Sequence, residues 1–315
     1  QLTPLGNNLW KLNIGYPHVY YGVPNGEQIL QLAFVFRNND GRVSGRELGG
    51  ADIFLDLYDT GVTIIIVSPY LDHTFGDQRR APLFGYTSDT IEVVITGAAI
   101  GSEISTLNLY WGDSSQVQTS NDTLFTEIIL QGFSLGMQTF NVVANDTSGL
   151  ADSSSFYVMI HDQALENQRP SNINDGITYY EADPTSVTLS LFSPYKEFVY
   201  VIGDFNNWFI DENYYMEKDS GSADSVHFWI TLDNLSPGTE YAFQYLVDGE
   251  IRIAEPYADK VLDKWNDQYI NSQIYPNLKP YPFGKTDHIV SILQTAQNSF
   301  NWQHSTTFER PEKDQ

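Results

Sequence analysis

Apolar residues recur along this chain with a period of two, in short β-branched and aromatic runs broken by clusters of Gly, Asn, Asp and Pro. The clearest runs are Ile29–Phe36, Thr63–Val67, Thr90–Thr96, Phe125–Leu130, Phe140–Ala144, Ser155–Ile160, Ser186–Phe192, Phe198–Gly203, Val226–Leu232 and Glu240–Val247. No long segment carries a 3.6-residue period. Evenly spaced strands with frequent turn signals predict an all-β chain of tandem β-sandwich, immunoglobulin-like modules.

The breaks between runs divide the chain. Residues 1–61 read as a first, partial sandwich module. About 60 residues make a poor core alone, which points to strands lost before Gln1. Residues 62–162 have the length of an Ig-like or fibronectin-like sandwich, with Tyr110-Trp111-Gly112-Asp113 at its central core aromatic. Residues 163–302 form a third sandwich, entered through the polar linker 161–176. Residues 303–315 read as a charged tail, or as a linker to a further domain.

Composition narrows the partners. Forty acidic residues against 16 basic ones give a formal charge of −24, which repels nucleic-acid backbones and anionic lipid. No stretch reaches the ~20 apolar residues of a membrane span. Without cysteine, no disulfide framework or thiolate metal site can form. Neutral polysaccharide makes no such electrostatic demand. The 20 Tyr, 18 Phe and 6 Trp supply rings that stack on sugars as well as fill cores. Trp10, Trp111 and Trp229 read as core residues.

Chemistry is not signalled. A retaining glycosidase needs paired carboxylates in a cleft, and no pair stands out. There is no βα alternation for a barrel and no Gly-x-Ser-x-Gly elbow. His18, His73, His161, His227, His288 and His304 lack metal-ligand spacing. Asn38–Asp40, or Asp52 with Asp56, could supply oxygen ligands to a structural Ca²⁺. The EF-hand spacing is missing, so solvated loop acids are the expectation. The chain itself is expected to contain no catalytic centre.

The third module is the most specific part. Val199-Tyr200-Val201-Ile202-Gly203-Asp204-Phe205-Asn206-Asn207-Trp208 is a strand entering an Asn-rich turn that ends on Trp. Pro237-Gly238-Thr239 then leads into Glu240–Val247, the turn Val247-Asp248-Gly249 and Glu255-Pro256. Together these resemble the glycogen-binding-type module, carbohydrate-binding module family 48, also called the isoamylase amino-terminal domain. The likeness covers about 120 residues. Tyr257–Asp267, Ile289–Gln294, Phe300-Asn301-Trp302 and Phe308-Glu309-Arg310-Pro311 resemble the stretch before the barrel in multimodular α-amylases of the Bacteroidetes type. Thr3–Trp10 and Phe34–Asn38 resemble the leading module of such enzymes.

That resemblance implies a non-catalytic region of a secreted or cell-surface bacterial enzyme of the α-amylase family (glycoside hydrolase family 13). Its implied partners are a starch- or glycogen-like α-glucan and a catalytic barrel in the same parent chain. Residue by residue, the family's stacking Trp falls on Trp208, and its hydrogen-bonding basic position holds Gln244. The second stacking position holds Ile251, beside Arg252. The terminal Asn falls on Asn271, and Trp265 is the ring available to replace the missing platform. Two other readings fit the same pattern: a structural spacer, and a surface glycan-capture protein with no enzyme attached.

Overall fold

The computed structural model describes residues 61–297, apart from 73, 100, 120, 222 and 223, together with short strand segments between residues 2 and 56. Strand accounts for 49% of the chain and helix for 5%, so the all-β expectation holds. The early strands pair two by two: β1 (Leu2–Gly6) with β2 (Leu9–Leu12), β3 (Gln31–Phe34) with β6 (Ile53–Asp56), and β4 (Phe36–Arg37) with β5 (Ser44–Gly45). The Ca²⁺ candidates Asn38–Asp40 and Asp52, the side chain of Asp56, Trp10, Trp302 and the tail 303–315 lie outside the described residues.

Eight strands follow: β7 (Val62–Ser68), β8 (Leu83–Tyr86), β9 (Thr90–Ala99), β10 (Ile104–Trp111), β11 (Ser114–Thr119), β12 (Thr123–Ile129), β13 (Gly136–Asp146) and β14 (Ala151–His161). They form sheets of order β11-β10-β13-β14-β8 and β12-β9-β7. The chain divides into two compact units: residues 1–67, 94–126 and 141–154 in one, and 68–93, 127–140 and 155–315 in the other.

In the first unit β10 pairs antiparallel with β11 and β13. Alternate residues face inward as the pleat requires, so Ile95, Leu107, Leu109, Val142 and Ala144 are fully buried. Trp111 is not the central core aromatic: it is half-buried, its neighbour Tyr110 is exposed, and Leu107 and Leu109 hold the core positions. At the β13–β14 turn, Asp146 accepts from Ser102 Oγ at 2.5 Å, Ser148 Oγ at 2.7 Å and the amides of Ser148 and Leu150 at 3.0 and 2.7 Å. These donors, Ser102 foremost, hold its pKa down to about 2.

The second unit contains a parallel pairing of β14 with β8 and nine further strands. These are β15 (Gly176–Tyr179), β16 (Val187–Phe192), β17 (Val199–Gly203), β18 (Glu217–Ser220), β19 (Val226–Leu232), β20 (Glu240–Val247), β21 (Ile251–Ile253), β22 (Lys260–Leu262) and β23 (Val290–Gln294). One sheet has the order β15-β16-β19-β18. The other has the order β17-β20-β23-β22, with β21 also paired to β20. Val187, Leu189, Leu191, Phe228 and Leu232 of the first sheet meet Val199, Val201, Phe243, Tyr245, Val247 and Leu293 of the second. This is the sandwich core. Trp229, expected inside it, is half-buried and donates its Nε1 to the Asn167 carbonyl at 3.0 Å.

The second sheet carries another core on its opposite face. Tyr200, Ile202, Trp208, Ala242, Leu246, Leu262, Tyr281, Val290 and Ile292 cluster there with Met159 and Phe198. A sheet covered on both sides needs apolar residues at successive positions rather than alternate ones. Strand β20 meets that demand, with Ala242 to Val247 all buried.

Candidate functional site

The Gly-Asp-Phe-Asn-Asn-Trp turn is built almost wholly from its own side chains. Asn206 Oδ1 accepts from Gly203 N at 2.9 Å and Trp208 N at 3.2 Å, while its Nδ2 donates to the Val201 carbonyl at 2.9 Å. Asp204 Oδ1 accepts the Trp208 indole N–H at 3.1 Å. Its Oδ2 accepts Ala242 N at 3.0 Å and pairs with Lys279 Nζ at 2.9 Å. Asn207 and Trp208 take left-handed φ values of 52° and 66°. That is an uncommon conformation for a bulky residue, and this network holds it.

Trp208 is 0% exposed. The expected stacking platform therefore offers no face to solvent, because its ring is part of the core on the outer face of the β17-β20-β23-β22 sheet. Gln244 is also 0% exposed, and its amide is spent within the chain. Its Nε2 donates to the carbonyls of Asp287 and Ile289, both at 2.7 Å, and its Oε1 accepts from Thr286 Oγ1 at 2.5 Å. Arg252 lies opposite Leu246 in the β20–β21 register. It donates to Thr286 Oγ1 at 3.2 Å and to the Arg80 carbonyl at 2.6 Å, and its guanidinium sits 3.9 Å from the Phe75 ring centroid. Burial pushes its pKa down to about 10, so it stays charged at neutral pH.

The structure thus brings Gln244 and Arg252 together through Thr286, on a face covered by the chain's own residues 278–289 and 75–80. The other expected site residues lie elsewhere, on the segment between β22 and β23. Trp265 is 51% exposed and Tyr269 80% exposed; Tyr275, Ile270 and Asn271 are exposed beside them. A set of local turns fixes this segment. Asp263 Oδ1 accepts the amides of Trp265 and Asn266 at 2.9 and 3.3 Å. Asn271 Oδ1 accepts Gln273 N at 2.8 Å, and its carbonyl accepts Ile274 N and Tyr275 N.

Two lysines stand against these rings. Lys264 Nζ lies 4.4 Å from the Trp265 centroid while bonded to Asp287, and Lys260 Nζ lies 4.7 Å from that of Tyr275 while donating to its hydroxyl at 2.8 Å. The result is a surface of oriented aromatic faces interleaved with amides and carboxylates. Tyr269 and Tyr275 escaped the sequence reading. The signal for them was the spacing Trp265, Tyr269, Tyr275 in a stretch rich in Asn, Asp and Gln.

The remaining motif residues are structural. Asp248 Oδ1 accepts the amides of Glu197 and Phe198 at 2.9 and 3.2 Å. Gly249 has φ 73°, and a Cβ there would stand 2.6 Å from Phe84 Cδ2, so only glycine fits. Buried Glu255 accepts the Tyr245 hydroxyl at 2.6 Å and Tyr257 N at 2.9 Å. Burial raises its pKa.

His161 closes the second core. Its ring lies 4.3 Å from Phe198, 4.5 Å from Tyr86 and 5.7 Å from Tyr215 between centroids. Nδ1 is 3.0 Å from the Asp162 carbonyl. Burial outweighs Asp162, Asp89 and Glu197 and holds its pKa below the ordinary value. The folded chain therefore keeps His161 neutral where the unfolded chain, with a pKa of about 6.5, takes up a proton. The stability this contributes is present above that value and is lost as pH falls through the folded-state pKa. Urea midpoints are expected to fall between pH 8 and 5.5, less steeply in His161→Phe. Glu255 works in the opposite direction, so an equal slope in the variant would assign the dependence to other groups.

Among the described residues, no three His, Asp or Glu side chains are grouped to hold a metal, and no helix is long and apolar enough to cross a membrane. The fold defines an all-β chain of β-sandwich modules. No family model and no curated protein matches it. Similar solved structures include fibronectin(III)-like modules of Clostridium thermocellum CbhA, at 18% identity, 31% of this chain, 94% of that chain and TM-score 0.24. Another is the Group B Streptococcus pullulanase SAP in complex with maltotetraose, at 17% identity, 60% of this chain, 24% of that chain and TM-score 0.23. A third is the Bacteroides ovatus mixed-linkage glucan utilization locus SGBP-B in complex with a mixed-linkage heptasaccharide, at 12% identity, 60% and 45% coverage and TM-score 0.23. The chain thus spans about a quarter of the pullulanase.

Proposed function

We propose that this chain is a non-catalytic, polysaccharide-holding region of a secreted or surface-displayed protein that degrades α-glucan, in which a catalytic barrel of the α-amylase family acts on the polymer. The observation that supports binding is the Trp265–Tyr275 surface. Rings held out of the core by short polar turns pack against the apolar faces of sugars, while adjacent amides and carboxylates meet the hydroxyls. A shallow site of this kind is weak on one oligosaccharide. On a polymer it raises the local concentration of substrate near a tethered enzyme.

Native gels containing amylopectin, glycogen, laminarin or xylan test this reading. Retardation by the two α-glucans is expected, with a loss of about tenfold in affinity, or 1.4 kcal/mol, in Trp265→Ala and again in Tyr269→Ala. Thermal midpoints should stay unchanged, because both side chains are exposed. Retardation equal in wild type and both variants would remove the site from this segment. No retardation by any polysaccharide would favour a structural spacer, a role that the self-covered outer sheet face also suits.

A further inference from the structure

A cleft of about 470 Å³ opens in the second unit, where residues 70–72 and the loop after β8 face the turn after β20. Its size falls within the range of small-molecule sites. It borders the covered sheet face, with which it shares Phe84, Tyr86 and Phe198, and has no residue in common with the Trp265 segment. Phe84 and Phe198 form an apolar floor, with Gly249 pressed against the Phe84 ring at its edge. Tyr70 stands at the rim with 83% of its surface exposed. An aromatic this exposed beside a cleft contributes nothing to the core.

Four carboxylates, Asp72, Asp89, Asp248 and Glu250, line it beside the hydroxyls of Tyr70 and Tyr86 and the His161 ring. Asp72 uses Oδ1 for Thr74 N at 2.8 Å, and Asp89 uses Oδ2 for Tyr86 N at 2.8 Å. The second oxygen of each has no protein donor among the described residues, and neither does the exposed carboxylate of Glu250. Asp248 is answered by Lys196 at 3.2 Å. Carboxylate oxygens with room for further donors, beside tyrosine hydroxyls and an apolar floor, suit a ligand with many hydroxyls and one flat apolar face, and their charge repels an anionic one.

We propose that this cleft is a second carbohydrate site, one that takes a short run of neutral sugar residues with Tyr70 as its stacking ring. It stands independently of the Trp265 segment. Two sites on one compact unit would hold a polymer more tightly than either alone.

The test is a titration of the isotope-labelled chain with maltoheptaose, xylohexaose, a trigalacturonate and spermidine, followed by amide spectra. The amides of Gly85 and Gly249, both in the cleft, are expected to shift saturably with a neutral oligosaccharide, in wild type and in Trp265→Ala alike. Tyr70→Ala should weaken that response at least tenfold with the rest of the spectrum intact. Trigalacturonate should leave both amides unmoved. The indole resonance of Trp265 reports the other site separately, so either site can fail while the other stands. Unmoved Gly85 and Gly249 amides at saturating sugar, an unweakened response in Tyr70→Ala, or a stronger response to spermidine or trigalacturonate would overturn the proposal.

Discussion

Trp208→Ala is expected to destabilise the second unit by about 3–5 kcal/mol, the cost of emptying a large aromatic site that cannot collapse. The indole is fully buried, its N–H is bonded to Asp204, and its ring packs among Tyr200, Ile202, Leu246 and Ile292. Truncation leaves a cavity and frees a carboxylate that also anchors Ala242 N and Lys279. Urea unfolding measures the effect. The resemblance to glycogen-binding modules implies something different: an intact fold that has lost its hold on glucan. An unchanged urea midpoint with lost retardation by amylopectin would restore Trp208 as a binding residue.

Gly203→Ala is expected to cost at least the upper part of the ~1–3 kcal/mol range of overpacked cores. The glycine is not there for its dihedral freedom, since its φ of −180° is ordinary extended backbone. It is there for space. A Cβ would lie 2.5 Å from the Ala242 carbonyl oxygen and 2.9 Å from Phe243 Cβ. Both belong to the strand to which Gly203 is paired, so neither can yield without breaking the ladder. Gly221→Ala is the control. Its nearest contact would be at 3.6 Å, and its effect should stay within about 0.5 kcal/mol. Equal melting temperatures for the two variants would contradict this close approach.

Much of the scaffold was legible because its residues carry local geometric demands. Runs such as Val226–Leu232 and Glu240–Val247 agree with the strands residue for residue, since β-branched and aromatic runs bounded by turn residues leave little choice. Strands such as β18, Glu-Lys-Asp-Ser, and the three-residue β21 and β22 were not legible. Their pairing comes from neighbours distant in sequence and not from their own pattern. The Gly203–Trp208 and Val247–Gly249 motifs were visible for the same reason that they are structural: an Asx-bonded turn and a glycine pressed against Phe84 tolerate few alternatives.

The site was harder to read. A tryptophan that ends a strand looks the same whether its ring faces water or a second core. What separates the cases here is Phe75, Thr286 and Tyr281, which cover the sheet from positions far along the chain. The exposed rings of Trp265, Tyr269 and Tyr275 lie in a stretch whose one regular element, the 3-10 turn Asp267–Tyr269, is too short to betray which way they point.

The core on the outer face of the β17-β20-β23-β22 sheet also bears on how the chain comes to be folded. Its members are drawn from remote places: Tyr86 bonds Glu197 across 111 positions, and Arg252 reaches the Arg80 carbonyl across 172. Contacts of such separation close large loops and form late. During synthesis from the amino terminus, residues 68–93 emerge well before the strands that cover them. Phe84, Tyr86 and Phe75 then wait, apolar and uncovered, until β20 and the residues around 281–292 arrive. For that interval the early segment is the part of the chain most open to capture by a chaperone or by another copy of itself.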